Sequence, residues 1–470
     1  MTTRRVVVVG ADAAGMSAAH QAIRANRARG EEIEVVALEM TQDTSYSACG
    51  LPYWVAGDVD DADELVARSP ERHRELGIDL RLGATATELD VKDRKLTYRT
   101  SAGDTIRIGY DDLVIATGAA PVIPDWARTT EGAMVPGVRP LKDMTDGHAW
   151  LRTLNPTTSQ APAASPSPRR GIVVGGGYVG VEMAEAMHRR GWETTLITRT
   201  RVMSNLDPDM SARLETVIES AGVTVIGDTQ VSELRTHPDG SVAAAVTDDG
   251  TVYPADAIVV AMGVRPATGF ASLAGLPVGK TGGLLADESG RVAPGVWAAG
   301  DCCEVKHRVT GKWTFAPLGT HANKQGKTIG ENLAGGEARF QGVLGTAITR
   351  FVAGDHHVEV ARTGLSTAEA EEAGFTVASL VTEGRTASGY MPEASPIAVK
   401  VIADAYSRRL MGMQIIGGRA AGKRIDTAAA SLWAGLSVDD LASMDLAYAP
   451  PFATVWEVVQ LAARRLADRM

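Results

Sequence analysis

The chain has 470 residues, of which 44% are hydrophobic and 22% charged, with a net charge of −10. That balance excludes a disordered or collagen-like chain, and an acidic surface is a poor general binder of nucleic acid or anionic membrane. At roughly 150 residues per domain, the length suggests about three domains. Three cysteines cannot build a disulfide framework, which points to a reducing compartment. The apolar run 6–9 is too short for a signal-peptide core, and no apolar stretch reaches the ~18 residues of a membrane span. A cytoplasmic protein with neither membrane nor nucleic-acid partners is expected.

The first element is the β-branched run 6–9, which ends at Gly10 and opens a helical pattern. Glycine at such a turn permits a tight bend and lets backbone N–H groups approach a pyrophosphate at the helix N-terminus. The pattern Gly10-x-Asp12-x-x-Gly15 lacks its middle glycine. A carboxylate beside a pyrophosphate is unfavourable, so Asp12 is expected to turn away. The next strand, 33–38, ends in Glu39, 24 residues beyond Gly15, where an acid can take the hydroxyls of an adenosine ribose. Cys49 follows closely, in Ser45-Tyr46-Ser47-Ala48-Cys49-Gly50-Leu51-Pro52-Tyr53. It can lie near the cofactor of this domain, and a thiol close to a helix N-terminus is stabilised as thiolate.

Residues 155–168 are almost all Pro, Ser, Thr and Ala and read as a surface linker without a functional role. Beyond it, the strand 172–174 runs into Gly175-x-Gly177-x-x-Gly180, a complete glycine pattern 165 residues after the first. That spacing fits two separate nucleotide-binding domains. The following strand, 194–197, ends in Thr198-Arg199-Thr200-Arg201. An acid at position 198 would select NADH. Its absence, with Arg199 and Arg201 alongside, predicts NADPH, because guanidinium groups suit a 2′-phosphate.

Cys302 and Cys303 are adjacent and read as small buried apolar residues. From about 345 the texture becomes α+β, with strands at 358–361, 396–402 and 410–416, helices at 424–436 and 438–442, and a helical tail at 455–466. His356 and His357 would project to opposite faces of a strand, and no metal site is expected.

Taken together, the segments 45–53, 110–118, 175–185, 261–266, 297–301, 317–326 and 445–451 resemble the pyridine nucleotide–disulfide oxidoreductases, over nearly the whole chain. Within that family they resemble the single-cysteine branch of coenzyme A disulfide reductases, polysulfide reductases, NADH oxidases and peroxidases. The resemblance implies an α/β fold with two Rossmann-like domains, for FAD and NADPH, plus a C-terminal α+β dimerisation domain. FAD would be bound by residues 1–145 and 266–343, NAD(P)H by 146–265, and a homodimer would form through 344–470.

The resemblance further implies site residues. Gly10, Ala14, Gly15, Glu39, Thr117, Gly118 and Asp301 would hold FAD. Gly175, Gly177, Gly180, Glu182, Arg199, Arg201 and Gly263 would hold NADPH in preference to NADH. Cys49 would be the single redox cysteine, with Tyr390 and Tyr448, supplied by the partner subunit, as proton donors to the leaving thiol. Ser17, Gln21 and Arg24 share one helix face and, with Ser45 and Asn323, would contact the substrate, coenzyme A disulfide or a related disulfide or persulfide. Three positions depart from that branch: Ala48 where Asn is common, Trp456 where Lys is expected, and Gly77 near an expected basic residue. The oxidases and peroxidases, which would cycle Cys49 through a sulfenic acid, carry a His at the position of Ala13. A low-turnover flavoprotein sensor is the alternative from another class.

Overall fold

The computed structural model describes residues 3–155 and 168–470, so positions 156–167 of the proline-rich linker lie outside the described residues. Two compact units divide the chain.

The first unit comprises Met1–Leu51, Val59–Pro121 and Val264–Val343. Its centre is a six-stranded sheet in the order Arg291–Ala293, Val296–Ala298, Asp112–Ile115, Arg4–Val9, Ile33–Leu38, Ile78–Arg81. All pairs are parallel except the first. A parallel sheet covered on both faces needs apolar residues on both, and the valine run of the first strand supplies them. Val6 and Val8 face one core with Ala18, Ala22 and Ile329, while Val7 and Val9 face another with Leu96, Tyr98 and Leu113. The first core is closed by the helices Ala13–Ala28 and Gly319–Leu333. Glycine sets their separation: a Cβ on Gly326 would stand 2.2 Å from Ala14 O, and one on Gly330 2.6 Å from Ala18 O. An antiparallel meander, Ala84–Asp90, Lys95–Thr100 and Thr105–Gly109, lies between the third and fourth of these strands in sequence.

The second unit comprises Pro52–Asp58, Val122–Gly263 and Leu344–Met470. One of its sheets is five-stranded and parallel, in the order Thr224–Ile226, Glu193–Ile197, Arg170–Val174, Ala257–Val260, Val138–Arg139. A second meander, Val231–Thr236, Val242–Thr247 and Val252–Pro254, packs Val231, Val242 and Ala245 onto Ile172 and Ile258. The C-terminal part is a five-stranded antiparallel sheet in the order Ala347–Ala353, His356–Gly364, Leu410–Gly417, Pro396–Asp404, Val377–Arg385. Helices Ile425–Ala434, Val438–Ser443 and Val458–Ala467 accompany it. Lys400 of this sheet bonds Asp207 and Asp209 at the start of the helix Pro208–Ser220, joining the two halves of the unit.

The tail helix starts at Val458, three residues later than its periodicity predicts. The Glu457 carboxylate accepts the Val459 N–H at 2.6 Å and caps the helix there, while Thr454 bonds the Trp456 carbonyl ahead of it. Among the described residues no helix is long and apolar enough to cross a membrane.

Candidate active site

The first glycine turn lies at the C-terminal end of the strand Arg4–Val9, the central parallel strand of its sheet. Gly10 has φ of +98°, and a Cβ there would stand 2.2 Å from Ala116 O; one on Gly15 would stand 1.9 Å from Gly10 O. Only glycine permits this turn, and the turn leaves a backbone cradle for a pyrophosphate. Asp12 stands in extended conformation as the cap residue of the first helix and lines a cavity with Ala13 and Ser17. Glu39 is buried, taking the Ala11 N–H on Oε2 at 2.9 Å and both the N–H and hydroxyl of Thr41 on Oε1 at 2.9 Å. Its carboxylate is thereby held against the turn, where an adenosine ribose would meet it. Gly118 and Gly300 both hold left-handed φ, at +64° and +83°, and Gly300 donates its N–H to Gln325 at 2.8 Å. Asp301 follows, half-buried, and Thr117 bonds Ala267 O at 2.6 Å. These features fit an extended dinucleotide such as FAD.

The second turn has the same geometry. Gly175 has φ of +114°, and Cβ atoms on Gly175 and Gly180 would stand 2.2 Å from Ala261 O and 1.8 Å from Gly175 O. Gly177 caps the helix Tyr178–Arg189 with open space where its Cβ would be, which is room for a second pyrophosphate. Gly263 holds φ of +89° beside this turn. Thr198 is buried at the end of the neighbouring strand and Arg199 is exposed. Arg201 is turned into its own loop, where Nη2 donates to the carbonyls of Ser204 and Leu206 at 3.2 and 3.0 Å. The structure thus separates two arginines that the sequence pairs. Glu182, one turn into the helix, accepts bonds from Tyr53 at 3.2 Å and Thr349 at 2.7 Å, and burial pushes its carboxyl up to about 7.

Cys49 is exposed, in the short turn Ala48–Gly50 that leads into the helix Leu51–Ala56. The preceding loop is strapped to the chain at 65–67. Ser47 N–H donates to Leu65 O and Ala67 N–H to Ser45 O, both at 2.8 Å. Ser45 and Ser47 line a cavity of about 380 Å3 together with Ser17, His20, Arg68 and Asn323. Ser17 donates to Asn323 Oδ1 at 2.8 Å. The volume suits a small organic ligand.

Three of the residues read from sequence as substrate contacts, Ser17, Ser45 and Asn323, therefore share one cavity. Gln21 and Arg24 do not line it: Gln21 is buried against Glu331 at 2.6 Å, and the Arg24 guanidinium bonds Gln21. The sequence reading missed His20 and Arg68, which do line it, and His73 behind them. Of these only His20 left a signal, as helical spacing one turn beyond Ser17 on the same helix; Arg68 and His73 left none.

Tyr390 and Tyr448 are exposed, at 76% and 46%, on loops that touch: Ser388 N–H donates to Pro450 O at 2.9 Å. Phe452, Val455 and Trp456 are exposed beside them in sequence, an apolar composition that suits an association surface. Cys302 and Cys303 are buried, with sulfurs 3.9 Å apart.

Comparison with known proteins agrees with this geometry. The family described as "Pyridine nucleotide-disulphide oxidoreductase" matches residues 4–326, and its dimerisation domain matches 356–459. The chain is 34% identical over 467 residues to the NAD(P)H coenzyme A polysulfide/persulfide reductase of Pyrococcus horikoshii, covering 98% of each. It is 31% identical over 462 residues to the NADH oxidase of Methanocaldococcus jannaschii, again covering 98% of each. The structure of an NAD-dependent persulfide reductase from A. fulgidus superposes with a TM-score of 0.90 at 34% identity, covering 99% of this chain and 83% of that one. The chain belongs to the pyridine nucleotide–disulphide oxidoreductases and is an FAD-dependent NAD(P)H oxidoreductase.

Proposed function

We propose that the protein is an NADPH-dependent reductase of coenzyme A disulfide or a related low-molecular-weight disulfide or persulfide, with Cys49 as its single redox cysteine. The observation that carries this reading is the exposed Cys49 two residues beyond Ser47, in a loop whose Ser45 and Ser47 line the cavity. FAD would be held by residues 1–145 and 266–343, through Gly10, Ala14, Gly15, Glu39, Thr117, Gly118 and Asp301. NADPH would be held within 146–265 through Gly175, Gly177, Gly180, Glu182 and Gly263. The exposed Arg199 takes the 2′-phosphate, while Arg201, already bonded to two carbonyls, braces the loop.

Bound FAD supplies two-electron transfer from NADPH to sulfur. The Cys49 thiolate attacks one sulfur of the disulfide, forming a mixed disulfide and expelling a thiolate. That thiolate takes a proton from Tyr390 or Tyr448 of the second copy in a homodimer. Two electrons then cleave the mixed disulfide, regenerate the Cys49 thiolate and free the second thiol. One NADPH and one proton are consumed for two thiols.

The test is anaerobic NADPH consumption by the holoenzyme with coenzyme A disulfide, coenzyme A persulfide and glutathione disulfide, against a control without disulfide. Turnover with a coenzyme A substrate supports the reading. NADPH consumption only on admitting oxygen replaces it with an oxidase, and flavin reduction without any turnover replaces it with a sensor.

A further inference from the structure

Behind the Cys49 loop stands a chain of side chains that the mechanism above does not use. His73 Nε2 and Ser45 Oγ lie 2.9 Å apart, and His73 Nδ1 and His20 Nε2 2.8 Å apart. The two imidazole rings stack with centroids 5.0 Å apart. His73, on the helix Pro70–Glu75, is fully buried, whereas Ser45 and His20 both line the cavity of about 380 Å3. Ser45 holds φ of +50°, a conformation a non-glycine residue keeps only where its surroundings impose it. The straps to Leu65 and Ala67 impose it on the backbone, and His73 holds the side chain.

The hydrogen bonds constrain the protons. Two neutral imidazoles and one hydroxyl carry three protons between them, one each. The two internal hydrogen bonds use two. The third falls on one of the outward positions, the Ser45 hydroxyl or His20 Nδ1. If Ser45 donates outward, His20 accepts; if His20 donates, Ser45 accepts. The chain therefore offers the cavity one donor and one acceptor in either arrangement. An amide, with its N–H and C=O, is the complementary group. A further proton on the pair would make both ends donors and remove the match.

The surroundings keep the pair neutral. Burial, with Arg68 beside it, lowers His20 to about 4. Burial, then the neighbouring His20 and Arg68, lowers His73 to about 4. Arg68 and Asp12 are the charged residues lining the cavity. On the His73 helix, Arg72 pairs with Glu75 and Arg74 with Glu71 at the surface. On the His20 helix, Arg24 is bonded to Gln21.

We propose that the Ser45–His73–His20 chain recognises an amide of the substrate's thiol arm, with Ser45 and His20 as the contacts and His73 as the positioning residue that fixes their polarity. This rests on the reductase reading for the identity of the thiol.

The test uses coenzyme A as probe, bound to Cys49→Ser holoenzyme so that no turnover intervenes, and cysteamine as a thiol without amides. His73→Phe breaks the chain, His73→Gln restores one polar link, and Ser45→Ala removes one end while leaving His73 in place. We expect His73→Phe and Ser45→Ala to raise the coenzyme A Kd about 10-fold, the loss of one buried hydrogen bond. His73→Gln should recover part of that loss, cysteamine binding should not change, and in the two His73 variants the rate of flavin reduction by NADPH should stay as in the parent. In 15N spectra, coenzyme A should shift the ring-nitrogen tautomer signals of His20 and His73. Equal Kd values across the set, a Gln variant no better than Phe, or parallel loss of flavin reduction overturn the proposal, as does a parent protein without affinity for coenzyme A. A parent that binds coenzyme A through this chain yet reduces no disulfide sinks the reductase reading and leaves the recognition chain standing.

Discussion

Tyr53 donates its phenolic hydroxyl to Glu182 Oε1 across 3.2 Å, and that oxygen also accepts Thr349 at 2.7 Å. Arg350 lies over the Tyr53 ring, 5.2 Å from its centroid, and bonds Asp58, which also takes the Arg189 guanidinium. Two uncharged donors thus serve a half-buried acid one turn beyond the second glycine loop. Burial, the largest influence, pushes Glu182 up to about 7, so its charge changes near neutral pH beside the second glycine turn.

The sign of the pH dependence follows. The carboxyl rises from 4.5 to about 7 on folding, so the native state holds more protons than the unfolded chain within that window. Stability from this group is present below pH 4.5 and is lost as pH rises through 7. Glu182→Gln is neutral throughout and keeps an acceptor for Tyr53. Its Tm relative to the parent should therefore be higher at pH 8 than at pH 5, with a stability difference between the two of about 1–3 kcal/mol. Thermal unfolding of both proteins at the two pH values checks this; a pH-independent difference removes the half-buried-acid account.

The histidine pair works in the opposite direction. Both imidazoles drop from 6.5 to about 4, so between those values the unfolded chain binds more protons than the native one. Their contribution is complete above pH 6.5 and is lost as pH falls toward 4. The parent should lose Tm over that interval, and His20→Asn with His73→Phe should flatten the loss even where its absolute Tm is lower. An equally steep acid limb in the double variant would locate the acid sensitivity elsewhere.

What was legible in the sequence follows from which residues do one job. Gly10, Gly15, Gly175 and Gly180 are dictated by backbone contacts inside a single strand–turn–helix unit, so their spacing alone located both turns. Glu39 stands where the spacing puts it, just past the end of the next strand, with its carboxylate against the Ala11 N–H. The Ser45–His73–His20 chain was not, because His20 and His73 are 53 residues apart and meet only through packing in the folded unit. Nor was the fate of Arg201: two arginines at one loop look alike until the carbonyls of Ser204 and Leu206 engage one of them. Gln21 shared a helix face with Ser17 in the periodicity, yet Glu331 on the Gly319–Leu333 helix takes it. The tail shifted by three residues because Glu457, a residue without apolar periodicity, caps the helix.

The exposed Arg199 and the engaged Arg201 predict different losses. Arg199→Ala should raise the KM for NADPH about 10- to 100-fold, as for the loss of a charge-assisted bond, with little change for NADH. Arg201→Ala should lower Tm and raise the KM for both nucleotides by a similar, smaller factor, because it loosens the loop. Steady-state kinetics with both nucleotides checks this, and an NADPH-specific loss in Arg201→Ala would reverse the two roles.

Two glycines of the second turn separate folding from binding. A Cβ on Gly180 would stand 1.8 Å from Gly175 O, whereas one on Gly177 meets nothing within 4 Å. Gly180→Ala must open the turn and should lower Tm. Gly177→Ala should fold as the parent does and lose nucleotide affinity, because its methyl group occupies the room left for the pyrophosphate. Equal Tm losses in the two variants would show that the turn adapts around either methyl.

Cys49 is exposed, whereas Cys302 and Cys303 are buried. Attack on a disulfide needs an accessible thiolate, and only Cys49 is exposed. Cys49→Ser should abolish disulfide reduction while NADPH still bleaches the flavin at the parent rate, because hydride transfer does not involve the thiol. Cys302→Ala and Cys303→Ala should keep disulfide turnover and lose stability by a few kcal/mol, since both side chains are buried in the core. Stopped-flow flavin reduction followed by coenzyme A disulfide turnover separates the two steps. Residual turnover at the parent level in Cys49→Ser would move the redox chemistry off this thiol and with it the assignment of the cavity that Ser45 and Ser47 line.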